Sequence, residues 1–343
     1  MDLLIVLYFI LAGEIGVVSI GTSKMILRKN KNIEGYFNDN DFNIEVAPNL
    51  NNFTDIEKID GLEIQNFVAK ISKCPHFNKN KLLNDLQSIT INGINPILYF
   101  LKNQQLGGNF TPTKNHIEYA NVSKLKELII NHELLHLSAY FKSEKVTFCG
   151  LRQIRDNKEI GVGMDEAMDM HLLKKYFNQS NENAYGVETV LFDRFTKITP
   201  LDILEKYYFE MNLLGLINHL ENYDDKLNII KFIRSFDFMF EHGEYAAMFK
   251  DRQFNETILF ITQCLIKWYA LSNYQKTIDN QKDEDKYLNQ TAEYIKSLDF
   301  HYRLLWKDFA ALNNEILNTS IKESDISLGT KTKLLEKVLK KSQ

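Results

Sequence analysis

The stretch NHELLHLSAY at residues 131–140 decides how this chain is interpreted, because it contains the spacing HExxH. His132 and His136 are four residues apart and therefore share one face of a helix, where two imidazole nitrogens can bind one metal ion. Glu133 lies one step round the same helix and is placed to accept a proton from an attacking water. Apolar residues at 3.6-residue spacing predict that the stretch is helical; they are Leu125, Leu128, Ile129, Leu135 and Ala139.

A second acidic motif, GVGMDEAMDMHL at residues 161–172, follows on the next predicted helix. A catalytic zinc site uses three protein ligands and one open position, so a third donor is needed beyond the two histidines. Glu166 is the candidate third ligand, and His171 is an alternative whose place on the helix directs it elsewhere. Asp165 and Asp169 flank Glu166, and either can accept a hydrogen bond from a ligand histidine; we favour Asp169.

These two motifs resemble those of the gluzincin zinc metallopeptidases, the thermolysin-like clan with HExxH on one helix and a glutamate ligand on the next. The resemblance covers about residues 105–177 and rests on HELLH and GMDEAMD. It implies Zn2+ as cofactor, held by His132, His136 and Glu166, with Glu133 as general base and acid. It also implies hydrolysis of peptide bonds in a peptide or protein substrate.

The resemblance further implies a small sheet whose edge strand lies beside the active-site helix and aligns an extended peptide. The segment NHIEYA at residues 115–120 is the best match for this edge strand. The family pattern has an aspartate four residues after the glutamate, where this chain has Met170 and places its aspartate one residue earlier. The family also uses a tyrosine or histidine to stabilise the oxyanion. Tyr185, His219 and His242 are candidates, and this role is left open.

The chain as a whole predicts an α+β fold in which helices predominate. We expect a zincin-like catalytic domain at 53–182, with a small sheet and active-site helices, followed by an all-helical domain at 183–343. Apolar spacing predicts two short helices over 53–88, with a break at Cys74-Pro75. Alternating and β-branched runs predict strands over 89–119.

Two later regions have different sequence patterns. Residues 141–163 are punctuated by glycine and predict a loop with a short strand. Beyond Asn178 the pattern is helical to the end of the sequence, without a fixed repeat. The predicted amphipathic stretches are 201–221, 224–239, 246–272, 286–299, 301–318 and 330–341.

Residues 1–27 are expected to form a single-pass transmembrane anchor. Between Leu3 and Ser23 the one charged residue is Glu14, and this stretch is long enough to cross a bilayer. Basic residues follow it rather than precede it, which predicts an uncleaved segment and a cytoplasmic catalytic part. The alternative is a hydrophobic helix packed on the protein's own core, because a glutamate within the span is costly in lipid. Residues 28–52 then form a polar connector.

Composition argues against several classes of protein. The 41 basic and 45 acidic residues give a net charge of -4, so no strong positive field favours nucleic acid as a partner. The three cysteines are odd in number and lack CxxC spacing, which argues against a disulfide framework and a cysteine-ligated zinc site. They are expected to be reduced and buried, and they are Cys74, Cys149 and Cys264.

Other functions stay open beside the metallopeptidase. A catalytically inactive zincin-like binding or regulatory module would keep the metal ligands without turnover. A structural helical membrane-associated protein would contain HELLH by accident and bind no stoichiometric metal. A proteolytic toxin can use the same motif, but the expected anchor and cytoplasmic body do not suit a secreted effector.

Overall fold

The structure of the protein is a computed structural model, in which the chain is mostly helical with two small sheets. This confirms the α+β class with helices predominating. The predicted domain division at residues 182 and 183 is not tested and stays a prediction. The residues that the structure describes are 44–48, 61–96, 98–99, 108–111, 116–122, 125–156, 158–179, 186–249, 252–278, 284–298, 321 and 326–341.

Two short helices precede the first sheet, α1 at Leu62–Ile71 and α2 at Lys79–Leu86. They confirm the predicted pair of helices with a break around Cys74. Helix α2 begins after Asn78, whose side-chain oxygen accepts the backbone N–H of Lys81 at 2.9 Å. This bond satisfies one of the N–H donors that the first turn of a helix leaves unpaired.

The first sheet has three strands, β1 at Thr90–Ile94, β2 at Gly108–Thr111 and β3 at His116–Ala120. Strand β3 is central, because it pairs in parallel with β1 and antiparallel with β2. The prediction that residues 115–120 form the edge strand beside the active-site helix is therefore wrong. Strand β2 is the edge strand that packs beside that helix. An alternating pattern identifies a strand but not its neighbours, since strand order depends on contacts between distant residues.

Helix α3 spans Lys126–Ser138 and carries the HExxH motif, as predicted. It is a core helix, because nearly all of its residues from Ile129 onward are buried. The ammonium group of Lys81 is buried beside its last turn and donates to the carbonyl oxygen of Leu137 at 3.2 Å. A positive charge at the C-terminal end of a helix is favourable, so this contact helps to hold the helix in place.

A second sheet of four short strands connects α3 to the next helix, where the sequence predicted a loop with a short strand. That prediction is wrong, and strands of three or four residues are too short to show a clear periodicity. The strands form an antiparallel meander of β4 at Tyr140–Lys142, β5 at Thr147–Cys149, β6 at Arg152–Arg155 and β7 at Lys158–Ile160. Helix α4 at Val162–Leu172 follows, and it ends in a π-helical turn at Leu173–Phe177.

The remainder of the described chain is helical, as predicted. The stretch 201–221 forms two helices rather than one, separated at Met211, whose φ of 53° interrupts the helical path. The predicted stretch 301–318 lies outside the described residues. The helices are α5 at Gly186–Phe195, α6 at Leu201–Phe209, α7 at Leu213–Leu220, α8 at Lys226–Phe249, α9 at Arg252–Ile278, α10 at Glu284–Ser297 and α11 at Leu328–Lys341. Helix α8 packs against both α4 and α9, so it joins α4 to the helical half.

The described helices contradict the prediction of a membrane-anchored, single-pass protein. Across the described residues, no helix combines the length and the apolar character needed to cross a membrane. The two longest, α8 and α9, carry charged and polar residues along their length, whereas a spanning helix needs about 20 mostly apolar residues. The segment 3–23, which led to the prediction, lies outside the described residues. Neither the transmembrane anchor nor the membrane localisation is supported.

Candidate metal centre

The two sequence motifs meet where α3 packs against α4. The Nε2 atoms of His132 and His136 lie 3.2 Å apart. Glu166 on α4 faces both rings, with Oε2 at 3.2 Å from Nε2 of His132 and Oε1 at 3.5 Å from Nε2 of His136. His136 and Glu166 are buried, and His132 is partly exposed. Three side chains that can bind a metal therefore converge on one point.

The spacing of these atoms fits a tetrahedral metal ion. Metal bonds of about 2.0–2.1 Å at a tetrahedral angle place neighbouring ligand atoms about 3.3 Å apart. The separation of 3.2 Å between the two Nε2 atoms is close to this value, and the carboxylate of Glu166 offers one oxygen at 3.2 Å from His132 and the other at 3.5 Å from His136. With Asp169, the three residues form a group whose ligand atoms all lie within 4.8 Å of one another. The group could hold a metal, although this geometry does not identify which metal.

The other ring nitrogen of His136 faces two carboxylates. Its Nδ1 lies 2.9 Å from Oδ2 of Asp169 and 3.3 Å from Oδ2 of Asp165. A carboxylate that accepts the Nδ1 proton leaves the Nε2 lone pair for a metal and fixes the orientation of the ring. Both carboxylates are held in turn, since Tyr208 on α6 donates its hydroxyl to Asp169 and the N–H of Leu151 donates to Asp165 at 2.8 Å.

The cluster has more hydrogen-bond acceptors than donors. One buried oxygen on each of Asp165, Glu166 and Asp169 accepts no well-aligned hydrogen bond, although ring nitrogens lie close by. Burial acts to lower the pKa of His136, but the charges of Asp169 and Glu166 outweigh it and raise that pKa well above its ordinary value. Burial raises the pKa of Asp165 to about 7. Without a metal, the protonated ring of His136 offsets part of the negative charge, and a bound cation would take over that role.

Glu133 lies beside the cluster and faces β2. Its Oε2 accepts the backbone N–H of Phe110 at 2.6 Å, and its Oε1 lies next to Gly108. Burial raises the pKa of Glu133 above its ordinary value, which suits a group that must both take up and release a proton. The hydroxyl of Tyr99 is also buried, and its pKa is raised first by burial and then by the charges of Glu133 and Glu118.

The N-terminal end of α4 is held by a residue far along the chain. Asp237 on α8 accepts the N–H groups of Gly161 at 2.9 Å and Gly163 at 3.0 Å, so it caps α4 from a neighbouring helix. Gly161 has a φ of 89°, which favours glycine. A Cβ at Gly163 would lie 2.2 Å from the carbonyl oxygen of Phe236. The GVG motif thus permits the close contact between α4 and α8, and this contact determines where Glu166 lies.

The other residues singled out from the sequence lie elsewhere. His171, the alternative third ligand, pairs with Asp193 at 2.9 Å. His219 packs against two tyrosine rings, and His242 contacts a carbonyl of its own helix. None of these histidines belongs to the ligand groups that the described residues form. Tyr185 lies outside the described residues, so the oxyanion role stays open.

Sequence analysis missed several residues that shape the site. Asp237 had a detectable signal, because it is a lone acid in the apolar run FDFMF at 236–240. Gly108 has only the weak signal of a Gly-Gly pair between two strand-like runs. Tyr208 had no distinguishing signal, and neither had the backbone N–H of Phe110, since a sequence pattern does not show where a backbone group points.

Comparison of the chain with protein-family models, with curated proteins and with solved structures finds no match. The gluzincin resemblance therefore depends on HELLH, on GMDEAMD and on the geometry described above. It stays a prediction.

Proposed function

We propose that this protein is a zinc-dependent metallopeptidase, in which His132, His136 and Glu166 hold Zn2+ and Glu133 transfers protons. The observation that carries the proposal is the convergence of two Nε2 atoms and one carboxylate at 3.2–3.5 Å, with a second glutamate beside them. Two imidazoles and one carboxylate are a donor set typical of catalytic zinc, which keeps one position open. A zincin-like arrangement of α3, α4 and the first sheet is part of the same proposal.

When bound, zinc polarises the carbonyl of the scissile peptide and makes a water molecule nucleophilic near neutral pH. Glu133 accepts the proton of the attacking water and then passes it to the leaving amine. Its burial, which disfavours the charged carboxylate, helps it to keep the proton between these two transfers. Asp169, with Tyr208 behind it, holds the ring of His136 so that Nε2 faces the metal.

Strand β2 supports a peptide as the substrate. It is the edge strand on the α3 side of the first sheet, and an extended peptide can add to such an edge through backbone hydrogen bonds. Backbone pairing is largely independent of the peptide's side chains. The substrate class that fits is therefore an extended segment of a peptide or protein.

The first test is the metal content of the purified full-length chain by elemental analysis, with Glu166→Ala beside the wild type. We expect about one zinc per chain in the wild type and little in the variant. Hydrolysis of a peptide library should follow for the wild type and not for Glu133→Gln, which should keep its zinc. No zinc in well-folded, zinc-reconstituted wild type would overturn the proposal. Zinc without hydrolysis would favour a binding module that keeps its ligands without turnover.

A further inference from the structure

The outer edge of β2 presents its backbone to Glu133. In an antiparallel pair, residues alternate between pointing their N–H and C=O groups toward the partner strand and away from it. The N–H of Phe110 donates to Oε2 of Glu133, so the backbone groups of Phe110 point away from β3. By the same alternation, the backbone groups of Gly108, two residues earlier, also point away from β3. The carboxylate of Glu133 is thus held at the outer edge of β2 and occupies the N–H of Phe110, so an extended peptide would pair there with the remaining outward backbone groups.

Gly108 approaches Glu133 more closely than any residue with a Cβ could. An added Cβ would lie 2.3 Å from Oε1, 2.6 Å from Cγ and 2.7 Å from Cδ of Glu133. The Glu133 side chain is buried, and its other oxygen is held by Phe110 at 2.6 Å, so it cannot move aside without loss of that bond. The φ of Gly108 is not in the left-handed region. A glycine is therefore required here for space rather than for backbone conformation.

We propose that Gly108 is a positioning residue for Glu133, and that β2 holds this carboxylate beside the two histidines by one close backbone approach and one hydrogen bond. The inference rests on the proposed function, because Glu133 serves as general base only if the centre binds a metal. Gly108 acts through Glu133 and is not itself catalytic. One strand would then align both the substrate and the group that moves its protons.

The test uses zinc-loaded full-length protein and acetohydroxamate, a small chelator that binds a metal and donates a hydrogen bond to an adjacent carboxylate. Calorimetric titration compares the wild type with Gly108→Ala and with Gly93→Ala. Gly93 is a matched control in β1 of the same sheet, where an added Cβ would meet the tip of the Tyr119 ring at 2.8 Å. We expect Gly108→Ala to weaken acetohydroxamate binding about tenfold with zinc stoichiometry unchanged, because a charged hydrogen bond is lost. Gly93→Ala should bind like the wild type.

A double substitution separates positioning from general damage to the fold. In the Glu133→Gln background, Gly108→Ala should cause no further loss of affinity, whereas a purely structural defect would weaken binding in both backgrounds. Glu133→Asp provides a second check, because the shorter side chain withdraws from the added methyl group. Gly108→Ala combined with Glu133→Asp should therefore bind acetohydroxamate as well as Glu133→Asp alone.

Two results would overturn the positioning role and leave the metallopeptidase proposal intact. One is wild-type affinity in Gly108→Ala, and the other is an equal loss of affinity in Gly93→Ala and Gly108→Ala. Absence of zinc from the wild type has a different meaning, because it overturns the metallopeptidase proposal itself.

Discussion

Two buried clusters in this protein are built around a glutamate on a helix, and they balance their polar groups differently. Glu205 on α6 accepts hydrogen bonds from Lys175 at 2.6 Å and from Tyr176 at 3.0 Å, and the thiol of Cys74 lies at 3.6 Å. Both oxygens of Glu205 therefore have donors from the chain itself. The cluster around Glu166 combines three carboxylates with two histidines and leaves one oxygen on each carboxylate without a well-aligned hydrogen bond.

The difference is consistent with a structural role for the Glu205 cluster and with the proposed ligand-binding role for the Glu166 cluster. A buried acceptor without a partner costs about 1–3 kcal/mol, so a structural cluster is expected to satisfy its own groups, as that of Glu205 does. At Glu166, three carboxylates share the ring nitrogens of two histidines, so part of this cost remains. A cation near the two Nε2 atoms would reduce it.

The largest expected effect separates the two glutamates directly. Glu166→Gln should reduce bound zinc from about one per chain to nearly none, whereas Glu205→Gln should keep it. In the metal-free state Glu166→Gln should unfold more readily than the wild type, because Glu166 loses its ion pairs with His132 and His136, which hold its pKa well below the ordinary value. Elemental analysis and urea unfolding after chelation measure both properties. Equal loss of zinc in the two variants would contradict the contrast between the clusters.

Asp237 sharpens the comparison, because it is a buried carboxylate with backbone N–H donors. Burial raises its pKa to about 6 from the ordinary 3.8, although the N–H groups of Gly161 and Gly163 act to lower it. The folded protein thus binds this proton more tightly than the unfolded chain. Its unfolding free energy should therefore fall, by up to about 3 kcal/mol, as pH rises from about 4 to about 6.

Asp237→Asn should remove this contribution to the pH dependence. Urea unfolding of chelator-treated wild type and variant across that pH range measures the difference between their slopes. Parallel curves would show that Asp237 is already charged at low pH in the folded protein.

A smaller effect is expected at the two aspartates that face Nδ1 of His136. Asp169→Asn should weaken zinc affinity by about 10–100-fold, because Asp169 is the nearer carboxylate to Nδ1 of His136. Asp165→Asn is the matched control and should weaken it less. Competition with a chromophoric chelator measures both affinities. The reverse order would assign the orienting role to Asp165.

The smallest expected effect is at the Glu205 cluster, in which donors from the chain itself pair with both carboxylate oxygens. Glu205→Gln should lower the unfolding free energy by about 1–2 kcal/mol, because Tyr176 and Lys175 exchange a charged acceptor for a neutral one. Lys175 is 41% exposed, so water can solvate its charge and limit the loss. Urea unfolding measures this change. A loss of zinc on the same substitution would place Glu205 in the metal centre and contradict its structural role.

The parts of the fold that the sequence predicted correctly depend on local geometry, and the same local geometry underlies the candidate site. The helix with HExxH and the helix of Glu166 and Asp169 were predicted, because apolar spacing and residues three or four apart report directly on a helix face. The edge strand was misassigned to residues 115–120, and the meander at 141–163 was missed. Strand order and very short strands are decided by pairing with other parts of the chain.

By itself, the sequence determined which side chains could bind a metal, because helical periodicity alone brings His132 and His136 to one face. Tertiary structure decided that Glu166 meets them, that β2 rather than β3 borders α3, and that Asp237 caps α4 from 74 residues away. It also decided which carboxylate oxygens are buried beside the histidine rings. These properties depend on the packing of distant segments and on the water which that packing excludes, and no local pattern encodes either.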